Sequence, residues 1–260
     1  MKSAAVRFAA VSVAIFCLGP FVWQVLSSLQ SETGRLSLEN YVAAFHGRPF
    51  GQVILNSLLV AISTAACCIA VGASAAFAIA KLEFRGRRLL LGAMLACSMF
   101  PPIATISPLF FVLRRLGLYD QLAGLILPYT TFALPLTVWV LTSFFREIPD
   151  ELYSAARMDG CSPFRAFRLI FLPLAAPGIA TTAILVFIFA WNEFLYALTF
   201  ISSPEKRTIP VAISLFATGQ KEPWHEIFAA STIVSVPLIV MTFLFQRRIV
   251  SGLTAGAVKG

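Results

Sequence analysis

The chain has 260 residues, of which 58% are hydrophobic and 12% charged, and it carries a formal charge of +8. An ordinary soluble domain is about 45–50% apolar and about 25% charged, so this composition excludes one soluble core enclosing all the apolar surface. The positive charge does not point to nucleic acid, because the Lys and Arg residues form neither a single run nor an aromatic-interleaved patch, and most of them flank apolar blocks.

The apolar blocks are roughly 20 residues long, enough to cross a ~30 Å hydrocarbon layer as helices. Six spans are expected in chain order, at about Val6–Ser27, Val53–Ala80, Leu89–Leu113, Gly124–Phe145, Pro177–Ile201 and Ile227–Phe245. The first, behind Lys2 and Arg7, also has the outline of a secretory signal. Pro20 and Trp23 interrupt it and no small-x-small cleavage pattern follows, so a retained anchor is expected. The second is rich in Ala and Gly from Ala65 to Ala80, so it is expected to pack closely against another helix.

Orientation follows from positive charge near span ends. Lys2, Arg7, Lys81, Arg85, Arg87, Arg88, Arg146, Arg157, Arg165, Arg168, Arg247, Arg248 and Lys259 fall on one side. Arg35, Arg48, Arg114, Arg115, Lys206, Arg207 and Lys221 fall on the other. The richer side is assigned to the cytoplasm, with both termini there. The expected division is 1–52 for the anchor helix and first external segment, 53–246 for the membrane domain and 247–260 for a cytoplasmic tail.

Residues 146–176, between the fourth and fifth spans, have helical signals of their own. Pro149 suits a first helical turn, and Asp150 and Glu151 favour the positive end of the helix dipole. Gly160 permits the positive φ that ends a helix. Ser162-Pro163 supplies an N-cap and first residue for a second helix, with Phe164, Phe167 and Phe171 along one face. The expectation is a cytoplasmic hairpin that needs something to pack against. A lipid-surface helix would carry more basic residues than Arg157, Arg165 and Arg168 provide.

Tyr153-Ser154-Ala155-Ala156-Arg157-Met158-Asp159-Gly160, followed by Ile170-Phe171-Leu172-Pro173, resembles the EAA motif of permease subunits of binding-protein-dependent ABC importers. One departure is that Ser154 stands where the motif has glutamate. Ala190-Trp191-Asn192-Glu193-Phe194, Ile209-Pro210-Val211-Ala212 and the ending Gln246-Arg247-Arg248 through Gly256-Ala257-Val258-Lys259-Gly260 resemble the smaller partner of the maltose- and trehalose-type sugar permeases.

The resemblance implies an all-α polytopic membrane protein with the ABC importer type I transmembrane fold. It implies a second permease subunit, two copies of an ATP-binding subunit and an external sugar-binding protein as partners. In that family the hairpin docks on the ATP-binding subunit, which would place Ser154, Ala155, Ala156, Asp159, Gly160, Phe164, Leu172 and Pro173 at the contact. Ser202–Glu226 would meet the binding protein, unless it is a plain connector.

No G-x-x-x-x-G-K-[ST] phosphate loop occurs, so no cofactor is expected on this chain, with ATP and Mg on partner subunits. His46 and His225 are expected at the surface, and no metal or hydrolase constellation is expected. Cys17, Cys67, Cys68 and Cys97 fall in apolar blocks and are expected to be small packing residues. Glu193 is the acid expected inside a span, where a charge is costly unless it faces water or a partner. Either it lines a sugar path with Trp191, Asn192 and Tyr196, or it reaches headgroup water at the outer end of the fifth span. An ion-gradient transporter would show paired midplane ionisable residues or inverted broken repeats, and the hairpin points away from that rival. A permease for another small polar solute is the nearer alternative.

Overall fold

The structure, a computed structural model, describes residues 2–31, 34–45, 49–217 and 223–255. They form helices and connecting turns, and the bridge between Gln30 and Leu36 is isolated. Four helices are long and apolar enough to cross a membrane: α1 (Lys2–Ser28), α3 (Phe50–Lys81), α6 (Leu122–Glu147) and α13 (Trp224–Ala255). A short α2 (Glu39–Phe45) precedes α3, and a short α12 (Ile209–Ser214) precedes α13. Two bent pairs of helices pass the same test of length and apolarity when taken together, α4 (Arg87–Ser98) with α5 (Pro102–Arg115), and the stretch Pro163–Leu174 with α10 (Ala176–Asn192), which gives up to six spans if each pair counts as one.

The core is built on α3 and α6, which pack along most of their lengths. On α3 the buried positions Ala61, Ala65, Cys68, Gly72, Ala76 and Ile79 recur every three or four residues, the period that lines one helical face. All but Ile79 are small, which decides how close the backbones come, as the sequence predicted. A methyl group added at Gly72 would lie 2.5 Å from Cγ2 of Thr137 on α6. At Gly178 of α10 it would lie 2.4 Å from the Phe144 ring. Without a hydrophobic drive between helices in lipid, such close approaches and the dispersion contacts they allow are what hold the bundle.

The outside is apolar. Phe8, Phe16 and Phe111 are mostly exposed, the inverse of a soluble surface and the arrangement a lipid solvent requires.

The third and fifth spans depart from the sequence expectation. The third breaks between Ser98 and Pro102, where the axes of α4 and α5 differ by 95°. Pro101 and Pro102 supply the cause, since proline lacks an N–H and pushes the residue before it out of the α region; Pro101 has ψ 123°. The fifth ends at Asn192, and α11 (Leu195–Phe200) resumes after a two-residue break.

Only Cys68 among the four apolar-block cysteines is buried; Cys17, Cys67 and Cys97 are exposed, so they are not packing residues of this chain. His225 is half-buried, with Nδ1 2.8 Å from the Ser27 carbonyl, and not a free surface group. His46 lies outside the described residues. Helix α13 passes position 246 without a break, so 247–255 continue it.

Candidate functional site

Three places carry polar or strained geometry: the hairpin after α6, the break in the fifth span, and a staple at the opposite end of the bundle. The hairpin's first limb is α7 (Asp150–Met158). It ends in the full set of bonds expected of a left-handed glycine cap. The Cys161 N–H donates to the Ala156 carbonyl (2.9 Å) and the Gly160 N–H to the Arg157 carbonyl (3.2 Å). Gly160 sits at φ 78°, as its place after α7 predicted, and no other part of this chain crowds it, so within the chain its backbone conformation is what favours glycine.

The second limb starts as the sequence indicated, with the Ser162 hydroxyl accepting from the Arg165 N–H at 3.2 Å. It comprises α8 (Pro163–Ala166), a π-helical turn over Phe167–Phe171 and α9 (Leu172–Leu174). The expected phenylalanine stripe is graded. Phe171 is fully buried, Phe167 is partly buried, and Phe164 is 70% exposed. Phe77 of α3 lies 5.2 Å from both Phe167 and Phe171 and 6.1 Å from Tyr153, so its ring joins both limbs to the membrane bundle.

The residues singled out in the hairpin therefore divide. Ser154, Ala155, Asp159, Gly160, Phe164 and Pro173 lie on its exposed surface, together with Leu152 and Met158, which sequence reasoning did not select. Leu172 is partly buried. Ala156 is 3% exposed and faces the hairpin interior. The Ser154 hydroxyl donates to the Asp150 carbonyl of its own helix, a local bond that offers no substitute for a carboxylate.

Sequence reasoning also missed Lys81, which it counted only as a cytoplasmic charge. Its ammonium is buried at the end of α3, donates to the Ile148 carbonyl and the Asp150 carboxylate, and lies 5.7 Å from the centre of the Phe171 ring. The signal in the sequence is slight, because Asp150 is 69 positions away.

At the fifth-span break, the Glu193 carboxylate accepts from the N–H groups of Tyr196 (2.9 Å) and Ala197 (3.2 Å), capping the first turn of α11. No Pro or Gly stands there, so the acid itself supplies the alternative partner that lets the helix stop and restart. The Tyr129 hydroxyl, fully buried and without a hydrogen bond of standard geometry, lies within electrostatic range of that carboxylate.

Of the four candidate path residues, only Asn192 and Glu193 reach the surface. Trp191 is 3% exposed and stacks on Phe187 at 5.4 Å; Tyr196 is 2% exposed and shares a hydrogen bond of 2.7 Å with Thr105. These two rings are enclosed by their own chain and present no face to a path in this structure.

At the other end, Asp120 takes a left-handed φ of 57°, which Asp tolerates better than most residues. Its carboxylate accepts from the Ser202 and Ser203 N–H groups and the Ser203 hydroxyl, and Lys206 lies 3.7 Å away. The Ser203 hydroxyl bond is the main reason that its pKa is lowered to about 2. Asn56 of α3 donates to the carbonyls of Glu205 and Arg207. Residues 202–209 are thus stapled to the bundle. Among the described residues no group of three or more His, Cys, Asp or Glu is gathered that could hold a metal ion.

A bundle of long apolar helices that carries a half-exposed helical hairpin at one end has the form of a multi-pass membrane protein. The chain belongs to the family of binding-protein-dependent transport system inner membrane components, which it matches over residues 68–255. It is 46% identical to the trehalose transport system permease protein SugB of Mycobacterium tuberculosis, over 94% of this chain and 93% of that one. It is 40% identical to the trehalose/maltose transport system permease protein MalG of Thermococcus litoralis, over 96% and 95%. Its fold matches a chain of a bacterial ABC transporter involved in import of the acidic polysaccharide alginate, with TM-score 0.79, 21% identity and coverage of 95% and 96%.

Proposed function

We propose that this chain is one of two permease subunits of an ATP-driven importer that moves a disaccharide such as trehalose or maltose into the cytoplasm by alternating access. The observation that carries the reading is the hairpin. Its first limb exposes Leu152 and its tip exposes Met158 and Phe164, while its base is buried in the bundle. An apolar tip on a rigid base is what a docking element requires: the tip gains by leaving water, and the base transmits the displacement.

Two copies of an ATP-binding subunit bind this hairpin and its counterpart on the second permease; ATP and Mg belong to those copies. Their closure on ATP draws the hairpins together and tilts the helices. Ser154, Ala155, Asp159, Gly160 and Phe164 form the contact, Ala156 sets the hairpin's internal spacing, and Leu172 and Pro173 set its return to the membrane. Both termini lie in the cytoplasm, as the distribution of Lys and Arg favours, which puts the Asp120 staple outside, beneath the sugar-binding protein. The 40–46% identity to trehalose and maltose permeases over nearly the whole chain supports the substrate class. Asn192 and Glu193 are the sugar-facing candidates, since an amide and a carboxylate both bond to hydroxyls.

The test is reconstitution of the four-subunit complex in proteoliposomes with its binding protein outside, ATP inside and labelled trehalose as the probe. Uptake that requires both ATP and the binding protein is expected. Uptake driven by a proton or sodium gradient without ATP would overturn the assignment.

A further inference from the structure

Lys81 is buried in a place where a lysine has no packing reason to be. Its side chain is 1% exposed and it is the last residue of α3. A buried ammonium is tolerated only where its protons find acceptors and its charge finds compensation. Here the compensation comes from three parts of the hairpin at once: the Ile148 carbonyl at its root, the Asp150 carboxylate at the start of its first limb, and the Phe171 ring face in its second limb. The carbonyl end of the α3 dipole adds to it.

We propose that Lys81 is the strut that makes the cytoplasmic end of α3 and the hairpin a single moving body, so that displacement of the hairpin reaches the membrane through α3. The inference rests on the reading of the hairpin as the coupling element. It names a positioning residue outside the motif that defines that element. The aromatic cluster around Phe77 supplies adhesion, but ring contacts slide at little cost, whereas the ammonium fixes register by pointing at particular oxygens. Helix α3 is the right element to receive the motion, because it packs against both α6 and α10.

The experiment places spin labels at Ser74, exposed on α3 two turns before Lys81, and at Arg165, exposed on the second limb. Their separation is measured in the complete complex in lipid, with and without ATP. The native complex is expected to show one narrow distance that ATP does not change. Lys81→Met, which keeps an unbranched apolar stem and removes the charge, is expected to broaden that distance and make it shift on ATP binding. Trehalose imported per ATP hydrolysed is expected to fall by roughly 2- to 30-fold, the range of coupling changes carried by single network residues.

Asp150→Asn is the second variant: Asp150 is 85% exposed, and the asparagine amide oxygen keeps an acceptor for the ammonium while removing the charge. It is expected to produce a smaller shift in the same direction. A distance that stays narrow and insensitive to ATP in both variants, or one that already changes with ATP in the native complex, would overturn the proposal. The width without nucleotide reports on Lys81 independently of transport, whereas absent ATP-driven uptake in the native complex counts against the coupling reading itself.

Discussion

Glu193 ends one helix and begins the next. The cost of a carboxylate inside an apolar span is reduced because two N–H groups of α11 are aimed at it. Glu193→Leu removes both bonds and favours continuous helix through the break. Loss of a cap costs about 1 kcal/mol, too little to prevent assembly. We therefore expect the variant complex to assemble in near-normal yield and to import sugar more slowly per complex, measured as uptake normalised to purified heterodimer. Normal uptake would return Glu193 to a residue that only reaches the water boundary. The sequence made this residue visible through its charge, but not its task, because the cap depends on a break that no Pro or Gly announces. Trp191 and Tyr196 were ambiguous for a different reason. An aromatic ring is equally suited to stacking on a sugar and to filling a core, and burial by the tertiary fold decides between them, as when Thr105 meets Tyr196 from 91 positions away.

Helices were legible from their hydropathy, and the close fit of α3 from its run of small residues, since both are local properties. The two interrupted spans were less so. Pro101-Pro102 was in view, yet proline is common in membrane helices and seldom reveals how far the axis will turn; here it turns by 95°. The hairpin was legible in its caps, because Gly160 and Ser162-Pro163 act through their immediate neighbours, whereas its attachment through Phe77 and Lys81 depends on tertiary contacts. Close packing at the element scale is testable at Gly72, where the Cβ of an alanine would lie 2.5 Å from Thr137 Cγ2. Thr137 is fully buried and bonded to Ala133, so it has little freedom to give way. Gly72→Ala is expected to destabilise the bundle by about 1–3 kcal/mol, as overpacking does, and to lower the thermal midpoint in detergent. Gly92→Ala, where nothing lies within 4 Å, is expected to leave that midpoint unchanged or raise it slightly. Equal midpoints for the two variants would mean that α3 and α6 are looser than the structure has them.

At the scale of the whole molecule, the chain joins a membrane bundle to a half-exposed hairpin packed against its end. The bundle supplies close-packed helices with interruptions where they can bend, the staple at Asp120 fixes the opposite end, and the hairpin tip leaves Met158 and Phe164 uncovered. In the proposed function, coupling of ATP hydrolysis to sugar movement would depend on the aim of that tip, and the aim on Gly160. Its φ of 78° is reached by glycine without strain, and no other part of this chain lies near enough to meet a side chain there. Valine there costs on the order of 1–3 kcal/mol, enough to re-aim the hairpin and leave the bundle folded, while asparagine accepts the left-handed conformation and serves as the control. The decisive measurement compares native, Gly160→Asn and Gly160→Val complexes in lipid for ATPase stimulation by the loaded binding protein and for sugar uptake. Gly160→Asn, which adds bulk without backbone strain, should keep more of the native stimulation and uptake than Gly160→Val, which should either lose the ATP-binding subunit or hydrolyse ATP without matching uptake; native stoichiometry, stimulation and uptake in Gly160→Val would contradict the hairpin's role as the coupling element.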